Sequence, residues 1–172
     1  VTATTREGVT PLQLAAINGS AAMMARLLKA SVDPNTPLTP AGDTALMMAA
    51  RTGKVDAIRV LLEAGAHINA QETWGGTTPL MWAVVAPKNA AEMTKLLLSK
   101  GANVKARALY TDWPNQISSE PRSQFRPVGG LTPLLYAVRN GCYDCVAAVI
   151  GAGADVNLPT PEGVTPLMVA LD

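Results

Sequence analysis

Aromatic residues are scarce in this chain, with one phenylalanine, three tyrosines and three tryptophans among 172 residues. A core with so few rings must be filled by small and aliphatic side chains. That suits thin, closely approaching helices better than a bulky sandwich. Charge is thin as well, at 16% Asp, Glu, Lys and Arg, where an average soluble domain has about 25%. The deficit predicts that part of the surface is covered by further chain or by a partner. The 14 basic and 13 acidic residues leave a formal net charge of +1 and are mixed along the chain, so no basic stripe marks a nucleic-acid surface. No apolar run approaches the roughly 20 residues that span a bilayer, which excludes insertion by a helix of that kind. A signal peptide is missing too. Val1 and Asp172 both fall within a running pattern, so both ends read as trimmed, and a targeting segment could have gone with them.

Catalytic groups are equally sparse. The lone histidine, His67, has no second histidine and no carboxylate cluster to form an acid–base pair or a metal site with. There is no phosphate loop and no nucleophile elbow. The expectation is a non-enzyme with no cofactor and no metal.

What is present is a repeat. A Thr-(Pro/Ala)-Leu triplet occurs five times, beginning at Thr10, Thr44, Thr78, Thr132 and Thr165, at intervals of 34, 34, 54 and 33 residues. A second mark keeps the same phase: Ser31, Gly65 and Gly153 each lie 21 residues beyond their threonine. Each unit reads as turn, helix, turn, helix. Gly8, Gly42, Gly76, Gly130 and Gly163 precede the threonines by two residues, where a tight turn calls for positive φ. Threonine is a good N-cap, and proline fits the first helical position, where its missing N–H would be unpaired anyway. The first helix is short and alanine-rich, as in Leu46-Met47-Met48-Ala49-Ala50, and Gly19, Gly53 and Gly141 end it. The second helix carries apolar residues at helical spacing: Val55, Ile58, Leu61 and Leu62 in one unit, and Val146, Val149 and Ile150 in another. It stops at Gly65, Gly101 or Gly153.

These marks resemble the ankyrin repeat. Gly163-Val164-Thr165-Pro166-Leu167 and Gly153-Ala154-Asp155-Val156-Asn157 look like its two most diagnostic stretches, and the likeness covers residues 5–107 and 128–172. The resemblance implies an all-α solenoid of about 4.5 repeats, in which stacked helix pairs carry hairpin-like turns along one edge. The units fall at about 5–38, 39–72, 73–107 and 128–159, with a partial unit at 160–172 and an insertion loop at 108–127. Several residues depart from the family pattern. Gln13, Met47, Met81, Leu135 and Met168 stand where the family often has a histidine bonded to the threonine hydroxyl. Lys105 replaces the turn-bracing asparagine found at Asn35, Asn69 and Asn157. Ser31 replaces a helix-ending glycine, which predicts a weaker cap.

The 54-residue interval is broken in two places. Two extra residues lie near Pro87-Lys88-Asn89, and the rest lie between Arg107 and Val128. Loops beyond about 12–15 residues are usually functional or disordered, and three prolines argue against a helix here. The segment is either a folded-back binding loop, with Tyr110, Trp113 and Phe125 as anchors, or a tolerated insertion, since long insertions cost little stability.

In this architecture the turn tips and outward sides of the first helices line a concave surface. Matching positions across units puts Arg6, Glu7, Ile17, Asn18, Asp43, Arg51, Thr52, Trp74, Thr77, Val85, Leu131, Arg139 and Asn140 on it. Tryptophan and arginine are the types most enriched in interface hot spots, so Trp74, Arg51 and Arg139 lead the expected contacts, with Asn140, Thr52 and Asn18 beside them. Each arginine has the plainer role of a solvated helix end, and Trp74 that of a cover for its neighbouring turn. Trp82 reads as core packing, as do most of the methionines.

Cys142 and Cys145 form a C-x-x-C in which two reduced thiols, one of them buried, are the favoured state. A local disulfide is within reach, since residues three apart at a helix start can approach within about 6 Å. Zinc would need two more ligands, and thioredoxin-like redox work would need a βαβ setting. Function then points to a protein-binding scaffold using the concave face and the 108–127 loop. The competing expectations are a structural subunit or outer layer of a larger assembly, such as a filament or membrane-associated complex, and an accessory module of a longer protein. The low charge and mean hydropathy of +0.17 favour the assembly. The Thr78-Pro79-Leu80-Met81-Trp82-Ala83 stretch and the Gly-Cys-x-x-Cys turn resemble bacterial ankyrin proteins, some of them exported. That resemblance implies a periplasmic or extracellular location.

Overall fold

The computed structural model describes residues 10–109 and 129–171. Among these residues it contains helices and turns and no strand. The helices come in pairs: α1 (Pro11–Asn18) with α2 (Ala21–Lys29), α3 (Ala45–Arg51) with α4 (Val55–Glu63), α5 (Pro79–Val84) with α6 (Ala90–Ser99), and α7 (Pro133–Arg139) with α8 (Tyr143–Gly151). A final helix, α9 (Pro166–Leu171), repeats the first member of a pair.

Each first helix starts where its threonine can cap it. The hydroxyls of Thr10, Thr44, Thr78, Thr132 and Thr165 accept from the backbone N–H three residues on, at 3.1–3.3 Å. That satisfies one of the N–H groups every helix start leaves unpaired. The position after the leucine therefore needs no histidine to hold the cap, and Met47, Met81 and Leu135 are free to be buried there. Ser31 takes the left-handed conformation (φ 63°) where α2 ends, as Gly65, Gly101 and Gly153 do after the later second helices. A side chain there costs roughly 1–2 kcal/mol.

First helices pack on first helices (α1, α3, α5, α7, α9) and second helices on second helices (α2, α4, α6, α8). The core is the seam between these two layers. Leu12, Leu46, Leu80 and Leu134 occupy the same position in successive units and are all buried in it. Alanines 15, 16, 49, 50, 83 and 137, also buried, let the helices approach closely. Leu167, the counterpart of those four leucines on α9, is 68% exposed, because no second helix of the described residues covers it. That contrast measures how much of each unit's burial is supplied by its neighbours.

Polar ties reinforce the seam along the outer edge. The Asn35 side chain donates to the Gly65 carbonyl and accepts from His67 N–H (3.1 and 2.7 Å). One unit further on, Asn69 does the same with Gly101 and Asn103 (3.3 and 2.8 Å). Lys105 carries no such amide, so the third junction is tied elsewhere. The Arg107 guanidinium donates to the carbonyls of Gly130 (3.0 Å) and Pro159 (2.9 Å). Ala108 N–H donates to Leu131 O (3.0 Å), the same closure that joins Leu38 N–H to Asp43 O and Glu72 N–H to Thr77 O in the preceding units. Ala108 and Leu131 thus close the fourth finger, and the helix stack continues across it, α5 on α7 and α6 on α8. The two extra residues of the third unit pack back on the second: Asn89 adopts φ 55° and its amide donates to Gly53 O (2.9 Å).

Candidate protein-binding surface

The first-helix layer is chemically unlike the second. Across α1, α3, α5, α7 and α9 the only charged side chains are Arg51 and Arg139, and both are exposed. Asp56, Glu63, Glu92 and Asp144 all lie on second helices, where Arg59 and Glu92 form the single ion pair among the described residues, at 3.6 Å. The position four after each capping threonine holds Leu14, Met48, Trp82, Tyr136 and Val169, none of them fully buried. This makes an apolar stripe crossing every unit.

On this stripe the two arginines lie over rings. The Arg51 guanidinium carbon is 5.8 Å from the Trp82 ring centre, reaching from one unit to the next. That of Arg139 is 5.2 Å from the Tyr136 ring, one turn away on the same helix. Each contact contributes about 0.5–1 kcal/mol at an exposed site and holds a long side chain in place. Trp82 packs on the core, as its place two after Leu80 predicts, and leaves part of its side chain exposed. Its indole N–H is buried with no acceptor, a cost of about 1–3 kcal/mol that the fold tolerates. Burial pushes the Tyr136 phenol above its ordinary value; Arg139 opposes the shift and the Glu72 carboxylate adds to it. Tyr136 therefore lies within electrostatic reach of the third finger.

That finger is built around Glu72, only 5% exposed. Its carboxylate accepts from the backbone N–H groups of Trp74 (2.7 Å), Gly75 (2.8 Å) and Thr77 (2.8 Å) and from the Thr77 hydroxyl (2.7 Å). Burial alone would raise its pKa, but these hydrogen bonds together outweigh burial and hold it below 4.5. The finger is also tied sideways, through Thr73 N–H to Ala41 O (2.7 Å) and Leu109 N–H to Gly75 O (2.8 Å). Trp74 is thereby presented on a rigid tip, 66% exposed. Sequence reasoning missed Glu72. A carboxylate two residues before a Trp-Gly-Gly turn, where the preceding finger has Leu38, was the available signal.

Residues 12–108 match the family of ankyrin repeats as three copies, and residues 129–161 match a single ankyrin repeat. The chain belongs to the ankyrin repeat family. No curated protein matches it. Ankyrin repeats are in general protein–protein interaction modules and are typically non-catalytic.

Within the ankyrin array the expected contact residues divide by what their polar atoms already do. Arg51, Arg139, Trp74, Ile17 and Asn18 are exposed. The Thr52 hydroxyl is committed to its own helix end, donating towards the carbonyls of Met48 and Ala49 (3.0 and 3.2 Å). The Asn140 amide donates to Val84 O of the preceding unit (3.2 Å). Both supply donors to carbonyls that a helix C-terminus leaves open. Leu131 is buried, contrary to expectation, because it closes the base of the fourth finger. Tyr110, Trp113 and Phe125, with Arg6 and Glu7, lie outside the described residues.

Cys142 and Cys145 are joined, S–S 2.03 Å with the Cα atoms 5.2 Å apart, which corrects the expectation of two reduced thiols. Cys142 sits at the N-cap of α8, and one helical turn brings it next to the buried Cys145. Among the described residues no group of His, Cys, Asp and Glu could hold a metal ion, and no helix is long and apolar enough to cross a membrane.

Proposed function

We propose that this ankyrin array is a non-catalytic scaffold whose protein partner lies against the first-helix face, from Arg51 across Trp82 and Tyr136 to Arg139, with Trp74 at the rim. One observation carries it: a half-exposed apolar and aromatic stripe runs through all units and holds only two charges, both ordered over rings. Buried aromatic and arginine anchors dominate interface energetics, and a rigid presentation lowers the entropy cost of binding. A Trp74→Ala/Arg139→Ala variant is expected to lose at least tenfold in recovery of bound partner relative to the intact array, with unchanged helix content by circular dichroism. Unchanged recovery removes these residues from the interface.

The proposal extends to location, an exported and oxidising setting. The Cys142–Cys145 bond supports it, since such bonds persist outside reducing compartments. Protein extracted under acid quench and treated with a maleimide mass tag is expected to show no labelled cysteine until a reductant is added. Two tags without reductant would end this part of the proposal.

A further inference from the structure

We infer that the segment bound on this face is an extended, acidic peptide with two carboxylates about three to six residues apart and apolar side chains between them. The inference rests on the proposed binding face and adds the chemistry of what occupies it.

Arg51 and Arg139 are the only charges on the first helices, and neither faces a carboxylate partner among the described residues. The nearby acids are already engaged. Glu72 is buried under four donors, and Asp43 accepts from the Thr39 hydroxyl at 2.7 Å. Each guanidinium carbon lies over a ring, and with no carboxylate partner its N–H groups remain to donate to a further acceptor. A carboxylate fits a guanidinium edge through paired hydrogen bonds. Between the arginines lies the Trp82–Tyr136 stretch of the stripe, which needs apolar contact.

The spacing follows from the stack. Arg51 sits on α3 and Arg139 on α7, with α5 packed between them. Two helix spacings of about 8–10 Å set the axes of α3 and α7 roughly 16–20 Å apart. The Arg51 head leans inwards over Trp82 of α5, so the two guanidinium groups lie between one and two spacings apart, roughly 10–20 Å. An extended chain advances about 3.3 Å per residue, so carboxylates about three to six residues apart span it, whereas a helical segment would need about seven to thirteen residues at about 1.5 Å each. Nucleic acid is disfavoured, because two cations neutralise only about two phosphates where specific binders use six to ten.

The test uses a random dodecapeptide display library selected on the full chain, and in parallel on an Arg51→Gln/Arg139→Gln variant and a Trp82→Ala/Tyr136→Ala variant, each checked for intact helix content. The expected result is enrichment on the wild type of peptides with Asp or Glu pairs about three to six residues apart. A synthetic winner should bind about tenfold or more weaker to the arginine variant and weaken as salt rises. Enriched peptides that need Trp82 and Tyr136 but carry no acidic pair, and bind the arginine variant equally, overturn the acidic specificity and leave the binding face standing. Identical pools on all three proteins overturn both. Stoichiometric displacement of the winner by single-stranded poly(U) overturns the inference in favour of a nucleic acid.

Discussion

Replacing Gly53 by alanine is expected to lower the unfolding free energy by about 2–4 kcal/mol, while the same change at Gly141 costs only about 1–2 kcal/mol. Both glycines end a first helix with nearly the same left-handed backbone, φ 72° and 67°. An added Cβ at Gly141 meets nothing within 4 Å, whereas at Gly53 it comes within 2.8 Å of the Lys88 carbonyl oxygen. That oxygen belongs to the two-residue enlargement of the third unit, which is itself held by the Asn89 amide on Gly53 O. Backbone cannot swing aside as a flexible side chain can, so the second and third units must separate locally. Urea unfolding of the two variants beside the wild type isolates the contact from the conformational cost they share. Equal losses at both positions would show that the inserted turn does not rest on the second unit.

Changing Glu72 to glutamine is expected to cost about 2–3 kcal/mol at neutral pH, because an amide cannot accept from all the donors a carboxylate serves and turns its own NH2 group towards some of them. The pH dependence separates this from a general packing defect. Glu72 titrates below its ordinary value of 4.5 in the folded array. Its contribution is therefore fully present above about pH 4.5 and is lost as pH falls through the lower folded value. Wild type and Glu72→Gln should differ by a constant amount from pH 7 down to about 4.5 and converge below it. A gap that persists unchanged at pH 3 would mean that the charge plays no part. Because Glu72 orders the finger carrying Trp74, the variant is also expected to weaken partner binding even where the array remains folded. Glu72 does this as a positioning residue whose own side chain stays covered.

Much of the fold was legible because ankyrin units are local. The threonine caps, the helix-ending glycines and the alternation of an alanine-rich with a leucine-rich helix each depend on residues within one turn, so a linear reading recovers them. Lys105 was legible in the same way, as the loss of an amide that braces the next unit. The binding surface was harder. Arg51 and Arg139 could be located by matching positions, but their pairing with Trp82 and Tyr136 depends on which ring lies beneath them. Trp82 was legible as core packing from its place two after Leu80, but that place does not say how much of its side chain α3, α5 and α7 leave uncovered. Thr52 and Asn140 looked available from sequence, yet they spend their donors on carbonyls at helix ends.

The sequence by itself determined the helical repeat, its phase and the position of its interruption, since these follow from caps, periodicity and turn residues acting over a few ångströms. Only the tertiary structure decided that Ala108 and Leu131 close the fourth finger and Arg107 pins it, that Glu72 is the keystone of the third finger, and that Cys142 and Cys145 are bonded. The Arg107 ties join groups 23 and 52 residues apart, a separation that carries no distance information. Glu72 and the cysteines have near neighbours in sequence, whose contact depends on how the turn and the helix start close in space. The stacking that brings them together is also what buries each unit's leucines, which no single unit could cover alone.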